Sequence, residues 1–317
     1  RDVAVTGVQT CALPISLLDR LPKLKPLCRI AHTPDAVSGD DKPSVALRNG
    51  RQSSMRLAID CVRDGGAAGV VSAGNTGALM AMAKVVLRML PGIDRPAIAS
   101  YFPNERAETV MLDLGANLEC DANNLVQFAV MGEVFARTVL GLEKPTIGLL
   151  NVGSEDQKGH EELRSAAGML RDTELPIDFY GFVEGDDITA GTVDVVVADG
   201  FTGNVALKTA EGMARLYSHF LRGAFRSSWA ARMGYMMAHR AMTKVRERTD
   251  PRRYNGAMFL GVNGIVVKSH GGTDAFGFAS AVSVAIDMAR NQINDKIKAE
   301  LERVHASPSE PAQAARG

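Results

Sequence analysis

Val193-Asp194-Val195-Val196-Val197-Ala198-Asp199-Gly200-Phe201-Thr202-Gly203-Asn204 is the stretch that decides the fold. Its first half is a near-continuous β-branched run, the pattern of a strand covered on both faces of a sheet. Its second half is a turn of small residues that opens onto apolar residues at helical period over 204–223. The same strand-to-helix step recurs along the chain. Buried strands are expected at 69–72, 97–102, 109–114, 146–151, 177–183, 193–198 and 265–268. Helices are expected at 53–64, 76–90, 122–140, 160–171, 204–223, 228–248 and 275–300. That alternation implies a doubly wound α/β fold with a mostly parallel sheet, and such folds place ligands at the carboxyl ends of the strands.

The composition excludes several classes. The 317 residues are 46% hydrophobic, with 36 basic against 36 acidic side chains, so the chain can bury a large core and lacks the basic excess of a nucleic-acid binder. Cys11, Cys28, Cys61 and Cys120 are scattered, with no CxxC pair and no histidine at metal-ligand spacing. A disulfide framework and a structural zinc site are therefore excluded, and a reducing cytoplasm is the expected compartment. No run reaches the ~20 apolar residues of a membrane span, since 78–90 is broken by Lys84 and Arg88.

Polar and glycine-rich residues gather where strands lead into helices. Ser72-Ala73-Gly74-Asn75-Thr76-Gly77 presents a helix start whose N–H groups and dipole suit an anion; the alternative is a plain helix cap by Asn75 or Thr76. Asp113-Leu114-Gly115-Ala116-Asn117 puts a carboxylate at a strand end, to face a ligand or to hold a turn. The loop 151–159 carries Ser154 and Lys158, and Asp199 to Asn204 leads into a helix bearing Lys208. Lys268-Ser269-His270-Gly271 offers a lysine and a candidate acid–base group in His270. There is no GxSxG elbow and no cysteine at any junction, which disfavours a covalent Ser or Cys mechanism. Glycine, amide, hydroxyl and lysine suit the binding and polarising of an anion.

Taken together and in order, DKPS (41–44) with SSMR (53–56), SAGNTGALM (72–80), LDLGAN (112–117), NVGSEDQKG (151–159), DGFTGNVALKT (199–209), YNGAMFLG (254–261) and KSHG (268–271) resemble the bacterial phosphate acyltransferase family, from about residue 17 to about 301. The resemblance implies transfer of a fatty acyl group from acyl-carrier protein to inorganic phosphate, at the start of phospholipid synthesis. It implies an α/β/α layered fold related to phosphotransacetylase and isocitrate/isopropylmalate dehydrogenase, a homodimer, no metal and no organic cofactor. A downstream acyl-phosphate-using glycerol-3-phosphate acyltransferase would take the product. Phosphate is expected at Asn75, Thr76, Gly77 and Lys158, with Lys268 or His270 near the developing charge. Ser72, Asp113, Asn117, Ser154, Asp199, Asn204 and Lys208 complete the expected binding set. Two alternatives stand beside this reading, a phosphotransacetylase-like enzyme using coenzyme A and a non-catalytic membrane-associating fragment. A dehydrogenase is disfavoured by the lack of clustered acidic metal ligands.

The family's opening strand motif is absent, and 1–16 show no clear strand or helical period; they are read as a leader foreign to the family, ahead of one α/β domain over 17–303 and a disordered tail over 304–317. Segment 215–253 stands apart, with ten Lys or Arg against Glu247 and Asp250, a net of +8. The chain's only tryptophan, Trp229, sits among Arg226, Arg232, Met233 and Met236. A helical hairpin with such a tip suits a membrane interface or an acidic carrier protein, and its apolar residues would otherwise pack within the protein. The resemblance favours peripheral membrane contact. Its homodimer is expected to use the apolar segment 254–261.

Overall fold

The computed structural model describes residues 2–6, 18–173 and 177–306. The central sheet follows the order β1-β2-β9-β8-β3-β4-β7-β5-β6, with β1 Asp2–Thr6, β2 Ala67–Ser72, β3 Ala97–Pro103, β4 Glu108–Leu112, β5 Thr146–Leu150, β6 Asp178–Val183, β7 Val195–Val197, β8 Ala257–Leu260 and β9 Ile265–Lys268. The helices are α1 Pro43–Asn49, α2 Ser54–Arg63, α3 Thr76–Leu87, α4 Ala122–Val139, α5 Glu161–Arg171, α6 Gly185–Ala190, α7 Gly200–Arg226, α8 Trp229–Met237, α9 His239–Arg248, α10 Ala275–Arg290 and α11 Ile293–Ala306.

Side chains alternate across the sheet and fill two cores. Val195 and Val197 join one core with Phe128 and Phe135 of α4, Leu163 of α5, Ala281 of α10 and Ile297 of α11. Val196 points into the other, with Ile59 of α2, Leu79 and Met82 of α3 and, at its margin, Leu207 of α7. The result is the expected three-layer α/β/α arrangement. The helices start where sequence supplies caps: Ser53 accepts from Arg56 N–H, Asn75 from Ala78 N–H, Asp199 from Thr202 N–H and Asp274 from Gly277 N–H, while Asp121 and Asn124 form a capping box.

Most strand pairings are parallel, but β9–β8, β8–β3 and β3–β4 are antiparallel. The cause is local. Four residues join β3 to β4 and four join β8 to β9, too few for a crossover, so each pair folds back as a hairpin. As a result β1, β2 and β9 run one way and β4, β7, β5 and β6 the other. The two parallel sets direct their carboxyl ends in opposite directions.

Several boundaries differ from the sequence reading. Asp2–Thr6, expected to lack a strand period, pair in parallel with β2 at the sheet edge, because a short alternating segment needs only one open strand edge to extend a sheet. Residues 7–16 lie outside the described residues, as do 307–317, whereas 304–306 belong to α11 and not to a tail. The helix expected at 228–248 is two helices meeting at Ala238, and that at 275–300 breaks near Gln292, whose φ is +53°. Met258, Phe259 and Leu260 are buried as β8, so the apolar content of 254–261 serves this chain's own core and gives no support to a subunit interface.

Candidate active site

At the carboxyl ends of β2 and β9, two of the expected loops meet. Ser72 pairs with Lys268 across the ladder, Ser269 N–H donates to Ser72 O at 2.9 Å, and a Cβ on Gly271 would lie 3.3 Å from Ala73 O. The start of α3 stands beside them. Asn75 is fully engaged there: Oδ1 caps Ala78 N–H at 3.0 Å, and Nδ2 donates to the carbonyls of Ser38, Gly39 and Asp41. Its side chain therefore builds the helix start and tethers the 38–41 loop. Thr76 is exposed, and the first-turn N–H groups of a helix have no intrahelical acceptor. Gly77 has no room for a side chain, since a Cβ would lie 2.8 Å from Pro43 Cγ. Ser72 is buried, with its hydroxyl accepting from Gly74 N–H.

Lys268 brings the charge. It is half-buried and its Nζ donates to Ser269 O; burial pushes the amine down to about 8. His270 is exposed, and its Nδ1 accepts from Gly272 N–H, so Nε2 carries the proton in the neutral ring and is left as a donor. The start of a helix, a lysine and an imidazole thus share one corner of the molecule.

The other expected residues lie at the carboxyl ends of the oppositely directed set. Asp113 is fully buried, and its carboxylate accepts from the N–H groups of Ile98, Gly115, Ala116 and Asn117 and from Asn117 Nδ2. Burial pushes this carboxyl up in spite of those donors. Asn117 also donates to Pro96 O, while its own carbonyl accepts from Gly200 N–H. Asp113 and Asn117 are therefore a structural clamp joining β3, β4 and α7, because both Asp113 oxygens and the Asn117 amide nitrogens are taken up within the chain. Asp199 caps α7 and accepts the Thr202 hydroxyl, and Lys208 pairs with Glu211 at 2.9 Å. Asn204 is exposed on the first turn of α7. In the loop 151–159, Asn151 holds Lys158 O and Val152 N–H, and Ser154 and Lys158 are exposed.

Six strand spacings of ~4.8 Å, on the order of 29 Å in all, separate the β2 and β5 ends laterally, and their carboxyl ends point oppositely. The expected phosphate grip combining the α3 start with Lys158 is therefore not formed within one chain.

Sequence reasoning missed Asn255 and Arg252. Asn255 is buried between the lysine loop and α10, and Arg252 pairs with both Asp250 and Asp274. The signal was the Asn255-Gly256 step, a turn dipeptide in which Gly256 takes φ +126°.

The basic segment forms a projection. Helix α7 has 27 residues, about 40 Å at 1.5 Å per residue; it starts at the Asp199 cap and its fully buried residues, Gly200 and Gly203, lie in its first turn. At its tip Trp229 is 77% exposed and Met237 86%, with Arg226, Arg232 and Met236 also exposed. Trp229, Met236 and Met237 are thus left largely uncovered by the chain's own helices, whereas Met233, at 36% exposed, is mostly covered. At the base, Arg248 donates to the carbonyls of Asn104 and Glu105, and a groove of about 540 Å³ is lined by Glu108, Lys244, Glu247, Arg248, Arg253 and Tyr254. Among the described residues no helix is long and apolar enough to cross a membrane.

Residues 5–296 match the family described as fatty acid synthesis protein. The phosphate acyltransferase of Paramagnetospirillum magneticum is 64% identical over 301 residues, covering 95% of this chain and 86% of that protein. That of Rhodospirillum centenum is 68% identical over 291 residues, covering 92% and 82%. Among solved structures, a branched-chain phosphotransacylase from Enterococcus faecalis aligns with a TM-score of 0.52 at 13% identity, over 90% of this chain and 98% of that one. The EutD phosphotransacetylase from Staphylococcus aureus aligns at 0.50 and 15%, over 90% and 77%. These two share the fold. With the ordered motifs, the family match and relatives of this identity over nearly the whole length, the chain belongs to the phosphate acyltransferase family.

Proposed function

We propose that this acyltransferase takes its acyl group from acyl-carrier protein, binds inorganic phosphate at the start of α3, and carries out the transfer beside Lys268 and His270. The observation that carries this is the meeting of the α3 first turn with the KSHG loop at the ends of neighbouring parallel strands. Phosphate is itself the nucleophile. One of its oxygens attacks the thioester carbonyl, a C–O bond forms, and the C–S bond breaks as the tetrahedral intermediate collapses. The thiolate leaves with the bonding electrons and is protonated. Such a reaction needs no covalent enzyme intermediate; it needs a held phosphate, a placed thioester and a positive group near the oxyanion. The α3 N–H groups supply the first and the Lys268 ammonium the last; the departing thiolate takes its proton from water, with the Nε2–H of His270 as a hydrogen-bond donor beside it.

Binding of phosphate to the folded state alone raises apparent stability. Millimolar phosphate is expected to raise Tm more than chloride at equal ionic strength, and an equal effect of the two salts would count against binding at the α3 start. Assay of acyl-carrier-protein and coenzyme A thioesters side by side distinguishes the donors, and the carrier thioester is expected to be the better substrate.

The hairpin supports a second part of the proposal, in which this cytoplasmic enzyme touches the membrane surface with its tip. The acyl phosphate is then formed close to the glycerol-3-phosphate acyltransferase that consumes it. Exposed Trp229 and Met236 supply apolar burial, Arg226 and Arg232 attract anionic headgroups, and Lys244, Arg248 and Arg253 of the groove at the base, set against Glu108 and Glu247, offer basic side chains to an acidic carrier protein. Each basic residue near such a surface contributes roughly 1 kcal/mol, so removing three weakens binding by about two orders of magnitude. Co-sedimentation with anionic vesicles is expected for the wild type and lost in Trp229→Glu/Met233→Glu; equal pelleting of both would refute the anchor. A homodimer is part of the same reading, and sedimentation showing only monomer at micromolar concentration would exclude it.

A further inference from the structure

The KSHG loop is shaped from outside itself. Asn255 lies 13 residues before Lys268 in sequence, on the segment that returns from the hairpin, and is 8% exposed. Its Oδ1 accepts His270 N–H at 2.8 Å. Its Nδ2 donates to Ser269 Oγ at 2.8 Å and to Gly277 O, in the first turn of α10, at 2.6 Å. One planar amide thus holds the backbone of His270, the side chain of Ser269 and the start of α10 in a single plane of contacts. The segment itself is anchored on both sides. Arg252 bridges Asp250 and the α10 cap Asp274 and lies over the Phe276 ring at 5.3 Å, and the Tyr254 hydroxyl donates to Arg248 O at 2.9 Å.

A buried amide of this kind does more than fill space. Its donor and acceptor ends differ, so it specifies which way the loop peptide faces, and an isosteric group with the wrong polarity cannot substitute for it. The Lys268 side chain and the ring of His270 extend from the two residues flanking Ser269, so their directions follow from the orientation that Asn255 imposes.

We infer that Asn255 is a positioning residue for acyl transfer, orienting the loop that carries Lys268 and His270 without itself touching substrate. The inference rests on the proposal that Lys268 and His270 act in the reaction. Asn255→Asp keeps the acceptor for His270 N–H and removes the donor to Ser269 and Gly277, while Ser269→Ala removes only the hydroxyl. The expected result is a kcat at least tenfold lower for Asn255→Asp, an intermediate loss for Ser269→Ala, and a phosphate KM within about twofold, since the α3 start is untouched. The pH at which the rate changes near the Lys268 titration should also move. Melting curves of both variants report folding separately. A kcat and pH profile unchanged in both folded variants, while Lys268→Ala and His270→Ala are inactive, overturns the positioning role and leaves the site reading intact. Full activity of Lys268→Ala and His270→Ala overturns the site reading itself. If Asn255→Asp does not fold, a Ser269→Ala variant with unaltered kcat and pH profile overturns the inference.

Discussion

At the scale of single residues, Lys268 carries the sharpest expectation. Its amine lies near 8 in the folded chain because it is buried, against 10.5 when free. Between those values the unfolded chain binds more protons than the native one, so stability rises as pH climbs from about 8 toward 10.5. The urea midpoint should follow that rise in the wild type and lose it in Lys268→Met. The ammonium is the form that stabilises an oxyanion, so the rate of acyl-phosphate formation is expected to fall as pH passes about 8. Lys268→Arg, which stays charged, should remove that decline from the pH profile even where its geometry lowers the rate. Asn75 makes a different prediction. Loss of a cap costs about 1 kcal/mol, and Asn75→Ala also releases the 38–41 loop, so Tm should fall by several degrees in a thermal scan, with a weaker response to phosphate.

At the scale of elements, Asp113 shows how a residue that looks catalytic in sequence can be structural. It sits at the end of a buried strand beside glycine, the position from which ligands are often met, yet its oxygens close a turn. Asp113→Ala would leave several buried N–H groups without an acceptor and should cost about 3 kcal/mol or more, read as a lower urea midpoint. The strands and long helices were legible in their apolar pattern: Val195, Val196 and Val197 alternate between two cores, and α4 is a long apolar run, buried without a break from Phe128 to Ala136. The strand β8 and the antiparallel directions around it were not. Ala257–Leu260 spans only four residues, and its direction follows from a four-residue connection to β9 that leaves no trace in hydrophobic pattern. The same gap explains the divided site. Loops such as 72–77 and 268–271 could be recognised singly, but which of them meet depends on strand directions set by those hairpins.

At the scale of the whole molecule, the sheet order implies a history. Strands β3 to β7 pair only among themselves apart from the β3 edge, and they come from one continuous stretch of chain. They can be assembled as soon as that stretch leaves the ribosome. The other half cannot: β2 must hold its inner edge open until β9 arrives, about 190 residues later, to fill the gap between β2 and β8, and unpaired strand edges of that kind are where nascent chains adhere to one another. In refolding followed by pulsed hydrogen exchange, amides of β4, β5 and β7 should be protected before those of β2 and β9. The corner where α3 meets the KSHG loop is then among the last parts of the fold to exist, since it waits for β9 to take its place beside β2.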